Sequence, residues 1–151
     1  DRTEGVRRLV ADSGFPGMKV LEFAFDSREP SNYLPDTYAE NAVCYTGTHD
    51  NPTLRQWYQE CRPEDLAAAR RYLNIGEDAD LCEALIRLGM RCRANLFMVQ
   101  MQDYLGLDGR ARMNVPGVLA RQNWRWRMRP GAASPELADH IAILTEEGKR
   151  S

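Results

Sequence analysis

The sequence predicts an α/β fold with parallel strands, because strand-like apolar runs alternate with segments of helical spacing. The first run, Met18–Phe25, is almost continuously apolar, as expected for a strand that is covered on both faces. The second, Ala42–Tyr45, is a short β-prone stretch that ends in a turn of small residues. With 43% hydrophobic content, residues 1–151 are predicted to form a single segment, one domain or part of one.

Helical segments account for most of the remaining chain. Each has apolar residues at helical spacing, and most have recognisable end signals. In the second of them, Asn51 is the expected N-cap and Pro52 the first helical residue. The predicted helices are Thr3–Asp12, Pro52–Glu60, Pro63–Leu73, Asp78–Met90 and Pro135–Glu147.

Two segments keep more than one interpretation at this stage. Ala94–Tyr104 has the composition of a helix, yet its apolar block is also typical of a buried strand, and periodicity does not separate the two. The turn-rich connection over residues 26–41 contains Asn32, Tyr33 and Tyr38. These side chains either face a ligand or simply pack in the loop.

Composition narrows the classes of partner and compartment. The net charge of −2 gives no reason to expect a nucleic acid or an anionic membrane as partner. No apolar run reaches the roughly 18 residues of a membrane span, and the charged start lacks a signal-peptide stretch. Together with the reduced cysteines described next, the expected compartment is a reducing cytoplasm.

The cysteines show no metal-binding or redox spacing. Cys44, Cys61, Cys82 and Cys92 form no C-x-x-C pair, so buried reduced thiols are the simplest interpretation. A disulfide framework or a zinc site is the alternative. We predict no cofactor and no bound metal.

The residues most suggestive of chemistry follow the Ala42–Tyr45 strand. The turn at residues 46–48 leads into the pair His49–Asp50, which directly precedes the predicted helix. A carboxylate and an imidazole therefore lie at a strand-to-helix turn, where α/β proteins place their active sites. Taken alone, this pair is a candidate catalytic centre.

Six stretches in this order and spacing resemble the amylomaltases, the 4-α-glucanotransferases of glycoside hydrolase family 77. The resemblance runs from about Gly14 to Arg127, and CYTGTHDN together with MNVPG and NWRWR is its most specific part. The stretches are GFPGMKVLEFAFD, NYLPDTY, CYTGTHDN, QDYLGL, ARMNVPG and NWRWR.

The resemblance implies the carboxyl-terminal part of a (β/α)8 TIM-type barrel rather than a complete barrel. Met18–Phe25, Ala42–Tyr45 and Leu96–Met101 would be its strands six, seven and eight. Family members transfer α-1,4-glucan segments between maltooligosaccharides by a retaining double displacement. That mechanism needs a nucleophile and an acid/base roughly 5–5.5 Å apart.

The resemblance also assigns roles to particular residues. Asp50 matches the family's third carboxylate, which stabilises the transition state, and His49 and Asp26 match sugar-binding positions. Asn114, on the loop after the last strand, is a candidate ligand of a sugar hydroxyl, with a role in the turn as the alternative. The motifs of the nucleophile and the acid/base are absent from these residues, so we expect the isolated chain to be inactive. Pairing with a missing amino-terminal part, or self-association through an open strand edge, would then be expected.

Other residues receive weaker interpretations. Glu22 is expected mid-strand with a structural or paired role, and Asp103 is expected to fix the turn after the last strand. Trp124 and Trp126 offer faces for a glucose ring, although packing under the terminal helix is the simpler interpretation. The alternative function is a non-catalytic α-glucan-binding or structural remnant of such an enzyme.

Overall fold

A computed structural model describes residues 2–26, 28 and 33–150 and contains a three-stranded parallel sheet. Its strands are β1 (Gly17–Val20), β2 (Ala42–Tyr45) and β3 (Leu96–Met98), in the order β1-β2-β3. Both strand pairs are parallel. The predicted α/β class with parallel strands is therefore confirmed, although the described residues form an open sheet and not a closed barrel. The assignment to barrel strands six to eight stays a prediction.

The first strand is shorter than the apolar run that predicts it. β1 ends at Val20, and Leu21–Phe23 forms a 3₁₀ turn closed by the Ala24 N–H donating to the Leu21 carbonyl oxygen. The prediction of a strand through Phe25 is wrong. The residues after Val20 are apolar because most of them are buried in a turn, and not because the strand continues. Glu22 consequently lies in a turn after the strand, and not in its middle.

The ambiguous segment contains both elements. β3 covers Leu96–Met98 and the one-turn helix α5 covers Met101–Tyr104, so the strand predicted through Met101 is too long. The Thr46 N–H donates to the Met98 carbonyl oxygen at 3.1 Å, which ties the end of β3 to the residue after β2.

The described residues also form five longer helices, and two of them begin later than predicted. α2 starts at Leu54 because Thr53, not Asn51, caps it by accepting a hydrogen bond from the Gln56 N–H. α4 starts at Leu81 because Asp80 caps it through the Cys82 and Glu83 N–H groups. The bounds are Arg2–Ser13 (α1), Leu54–Glu60 (α2), Pro63–Leu73 (α3), Leu81–Arg91 (α4) and Pro135–Glu147 (α6).

Among the described residues, the buried clusters pack against one face of the sheet. On that face, Cys44 and Ala42 join Leu21 and Tyr38 in a buried cluster, and a larger cluster binds α2, α3, α4 and α6 together. On the other face, the strand register aligns Met18, Leu96 and Met98, which are 60%, 57% and 51% exposed. These three side chains therefore form an exposed apolar patch on this face, whereas Val20 on the same face is buried.

The amino-terminal helix has the predicted apolar side, but that side is exposed. Val6 and Leu9 on α1 are 60% and 69% accessible to solvent.

Within the described ranges, no helix is long and apolar enough to cross a membrane. Asn32, one of the loop residues considered for ligand contact, lies outside the described residues. Tyr38 is buried, and its hydroxyl donates to the Tyr33 carbonyl oxygen at 2.6 Å.

Candidate active site

The turn after β2 is held in place by a buried carboxylate from the segment after β3. Asp103 accepts a hydrogen bond from the Thr46 hydroxyl at 2.6 Å and from the Leu54 N–H, the first residue of α2, at 2.8 Å. Burial raises the pKa of Asp103, and these two hydrogen bonds oppose that shift. Asp103 thus joins three elements, whereas the sequence predicts only a role in its own turn.

Gly47 is closely surrounded by neighbouring side chains, which would have to shift to admit a Cβ atom. A Cβ atom on Gly47 would lie 2.9 Å from Oε1 of Glu22 and 3.2 Å from Nε2 of Gln100. Contacts below about 3.0 Å are not tolerated without movement of the neighbours. The Glu22 and Gln100 side chains therefore pack directly against the backbone that leads to His49 and Asp50.

Glu22 is a buried carboxyl group on the inner side of this turn. Its pKa is raised to about 9, first by burial and then by the nearby Asp103, while Arg112 acts in the opposite direction. At neutral pH the group is therefore a neutral carboxylic acid. Its N–H donates to the Thr46 carbonyl oxygen at 3.3 Å, so the backbone of Glu22 also supports the turn.

Asp50 is held by two of the residues that the sequence singles out. The Asn114 side-chain amide donates to Oδ1 of Asp50 at 2.6 Å, and Nε2 of His49 lies 3.5 Å from the same oxygen. The Asp50 and His49 side chains are 45% and 57% exposed, so a ligand in solvent can reach both. The structure thus brings Asp50, His49 and Asn114 together.

A second segment, residues 111–127, fixes the backbone of this cluster. Arg112 donates to the Asp50 carbonyl oxygen at 2.6 Å and to the Asn114 carbonyl oxygen at 2.9 Å. The Asn114 N–H donates to the His49 carbonyl oxygen at 3.1 Å. Sequence reasoning missed Arg112, although its place two residues before Asn114 in the ARMN stretch was a usable signal.

Trp124 lies against His49. The two ring centroids are 5.0 Å apart with the planes inclined by 41°. The Trp124 backbone has a left-handed φ of 63°, and its N–H donates to the Met113 carbonyl oxygen at 2.7 Å. An exposed aromatic face therefore stands next to the His49–Asp50 pair, and Trp126 lines a different cavity.

The Asp26 carboxylate is hydrogen-bonded to two arginines. Its carboxylate accepts a hydrogen bond from Nε of Arg28 at 2.8 Å, and Arg62 lies 3.5 Å away, so its pKa is held well below the usual range. Asp26 lines a cavity of about 420 Å³ with Asn51 and Trp57. Asp26 therefore shares a cavity with the residue that follows Asp50, and its carboxylate is hydrogen-bonded to Arg28 and Arg62.

The Asn51 side chain has a different task from the predicted helix cap. Its Oδ1 accepts hydrogen bonds from both the N–H and the hydroxyl of Thr48, at 2.9 and 2.7 Å. This closes the loop around His49 and Asp50. Among the described residues, no three metal-ligating side chains converge, and all four cysteines are free thiols.

Comparison with known proteins shows the family of this chain. Residues 2–133 match the family model described as 4-alpha-glucanotransferase, glycoside hydrolase family 77. The chain belongs to this family. Its relatives include 4-alpha-glucanotransferases of Synechocystis sp. and Thermus thermophilus, which are 42% and 41% identical over 95% and 98% of this chain.

A solved structure supports the same relationship at the level of the fold. The amylomaltase from Streptococcus agalactiae, in complex with acarbose, superposes with a TM-score of 0.90 at 32% identity over 98% of this chain. The chain spans 28% and 31% of the two curated relatives and 30% of the S. agalactiae chain. It therefore corresponds to less than a third of these family members.

Proposed function

We propose that this chain supplies the sugar-stabilising part of a 4-α-glucanotransferase active site that acts on maltooligosaccharides and other α-1,4-glucans. The observation that carries the proposal is the Asp50–Asn114–His49 cluster at the carboxyl end of a parallel sheet, in a chain that belongs to this family. We infer that residues 1–151 form one segment of the catalytic barrel, in which β1, β2 and β3 are strands six to eight.

In this proposal, Asp50 acts on the sugar at the cleavage site. Asn114 and His49 engage Oδ1, and within the described part of the chain no protein group hydrogen-bonds Oδ2. A carboxylate oxygen fixed in this way can accept hydrogen bonds from ring hydroxyls and favour the positively charged transition state. His49 donates to a neighbouring hydroxyl, and Trp124 provides a stacking face.

The remaining catalytic groups lie outside this sequence in our proposal. Retention of configuration requires a nucleophile and an acid/base about 5–5.5 Å apart, and neither family motif occurs in these residues. The chain accounts for 28% and 31% of its two relatives, which leaves ample sequence for both groups. The four free thiols favour a reducing compartment, and we propose the cytoplasm.

A chimera tests the proposal directly. The matching segment of the Thermus thermophilus relative, 41% identical, is replaced by this chain, and glucose release from maltotriose is measured. We expect an active chimera that loses roughly 10²- to 10³-fold of its rate on Asp50→Asn, because the carboxylate stabilises developing charge. Asp78→Asn, an exposed carboxylate outside the cluster, is the matched control.

Two results would contradict the proposal. A folded chimera without activity would favour a non-catalytic remnant, and a chimera indifferent to Asp50→Asn would remove Asp50 from the reaction. An Asn114→Ala chimera separates positioning from chemistry, since loss of one hydrogen bond to Asp50 is expected to cost about tenfold to a hundredfold.

A further inference from the structure

The segment around Trp126 carries a positive charge that no neighbouring carboxylate balances. Residues 121–129 contain four arginines and no acidic residue, in a chain whose net charge is −2. Within the described part of the chain, none of these four arginines forms an ion pair with a carboxylate. Their charges are therefore available to a negatively charged ligand.

Two of these arginines line a cavity together with Trp126. The cavity has a volume of about 490 Å³, which is in the usual range for small-molecule sites. Leu105 and Leu107 belong to its apolar lining, and the half-buried Trp126 adds an aromatic ring. Arg127 and Arg129 are the two arginines, and both are exposed. The cavity thus combines an apolar and aromatic lining with two accessible guanidinium groups.

Hydrogen bonds hold the backbone around this cavity in place. The buried Gln102 side-chain amide donates to the Ala111 carbonyl oxygen at 3.3 Å, and the Leu107 N–H donates to the Gln102 carbonyl oxygen at 2.9 Å. On the tryptophan segment, the Asn123 side chain accepts a hydrogen bond from the Val115 N–H at 3.1 Å and donates to the Val115 carbonyl oxygen at 3.2 Å. The lining is therefore formed without a ligand.

The charged groups of the cavity are one ion pair and two further arginines. Asp108 accepts a hydrogen bond from Nη2 of Arg110 at 2.9 Å, and the hydrogen bonds from Arg110 hold the pKa of Asp108 below its ordinary value. Arg127 donates only to the Trp126 carbonyl oxygen, at 2.8 Å, and the Arg129 side chain has no hydrogen bond to a described residue. Because Arg110 neutralises Asp108, Arg127 and Arg129 give the cavity its net positive charge.

We propose that this cavity binds a sugar phosphate, with the phosphate at Arg127 and Arg129 and the sugar ring against Trp126. Guanidinium groups bind phosphate oxygens through paired N–H donors. An indole ring offers an apolar face on which a sugar ring packs. The cavity shares no lining residue with the Asp50–Asn114–His49 cluster, so this binding does not require glucan transfer by the chain.

Both parts of the cavity favour this ligand over simpler ones. A neutral sugar would leave the charges of Arg127 and Arg129 without a partner, and inorganic phosphate would make no contact with the apolar lining. The ionised Asp108 adds an acceptor for hydroxyl groups, which a hexose carries and a nucleobase does not. A hexose monophosphate therefore matches the arginines, the tryptophan and the carboxylate together.

Isothermal titration calorimetry of the 151-residue chain tests the site with glucose 6-phosphate, glucose, inorganic phosphate and ADP as separate probes. We expect glucose 6-phosphate to bind at least about tenfold more tightly than glucose or phosphate, because it alone contacts both the arginines and Trp126. Raising the salt concentration from about 50 mM to about 500 mM should weaken this binding several-fold, because it screens the exposed arginines.

Substitutions at the cavity separate the two kinds of contact. Replacing both Arg127 and Arg129 by Gln should weaken binding of glucose 6-phosphate at least about tenfold and remove most of the salt dependence. Trp126→Ala should weaken it about tenfold, whereas Trp126→Phe should retain most of the affinity. Arg8→Gln, at an exposed arginine of α1, is the matched control, and Asp50→Asn should leave the affinity unchanged.

Four results would overturn the proposal. They are no binding of glucose 6-phosphate to the folded chain, equal affinity for inorganic phosphate and glucose 6-phosphate, tighter binding of ADP than of glucose 6-phosphate, and loss of binding on Asp50→Asn. The second would reduce the cavity to a patch that attracts any anion, the third would make it a nucleotide site, and the fourth would move the sugar to the Asp50 cluster. Each is measured by direct binding and is independent of glucanotransferase activity.

Discussion

The buried Glu22 should make the stability of this chain fall as the pH rises. In the folded chain its pKa is about 9, against an ordinary value of 4.5. Between these values the folded chain holds a proton that the unfolded chain has released, so the free energy of unfolding decreases with increasing pH. This contribution is complete below the unfolded pKa and is lost as the pH rises through the folded pKa.

The size of the effect follows from the same linkage. The limiting slope for one proton is about 1.4 kcal/mol per pH unit, which amounts to roughly 4 kcal/mol between about pH 5 and pH 8. Glu22→Gln keeps the shape of the neutral acid but removes the titrating proton. The variant should therefore lose this slope while remaining folded, and its advantage over the wild type should grow with pH.

Urea unfolding at a series of pH values measures the difference. Other titrating groups, including the neighbours Asp103 and Arg112, are present in both proteins, so the difference between the two curves reports mainly Glu22. Glu64→Gln on the exposed surface of α3 controls for the substitution itself. Parallel pH curves for wild type and Glu22→Gln would refute the reasoning that Glu22 is buried as a neutral acid.

Two further predictions concern the turn after β2 and the open sheet. Gly47→Ala should destabilise the chain by about 1–3 kcal/mol, because the added Cβ meets the side chains of Glu22 and Gln100. Gly76→Ala, which adds a Cβ into open space, should leave the free energy of unfolding unchanged. Urea unfolding of the two variants measures the difference. The exposed patch of Met18, Leu96 and Met98 and the position of β1 at the edge of the described sheet should drive self-association, which Met18→Lys should weaken in sedimentation velocity runs. A strictly monomeric wild-type chain over a wide concentration range would contradict the second prediction.

Local signals predicted several elements correctly from the sequence alone. β2, α3 and α6 have the predicted bounds, because Pro63 and Pro135 mark helix starts and small residues end the strand. The predicted start of α2 was wrong because the Asn51 side chain accepts a hydrogen bond from Thr48 within its own loop and does not cap the helix. The sequence pattern of an N-cap does not distinguish these two roles. The strand predicted over Met18–Phe25 was too long, because residues in a turn can be as buried and as apolar as residues in a strand.

In the candidate site, too, contacts within one sequence motif could be predicted, whereas contacts between residues distant in sequence could not. The motif around His49 and Asp50 identified the segment, and the place of Asn114 on the loop after the last strand made it a candidate, whose side-chain amide the structure places 2.6 Å from Oδ1 of Asp50. Their roles on sugar remain predictions. The position of Asp26 beside Arg62 and the joining role of Asp103 depend on residues distant in sequence, so no local pattern could predict them.

The central claim is that this chain supports glucan transfer through Asp50 but contains neither the nucleophile nor the acid/base. Glucose release from maltotriose by the purified 151-residue chain tests it most directly, with the chimera as positive control in the same assay. We predict no glucose above background from the chain alone. Glucose release that Asp50→Ala abolishes would contradict the claim, because the chain would then possess a complete catalytic site.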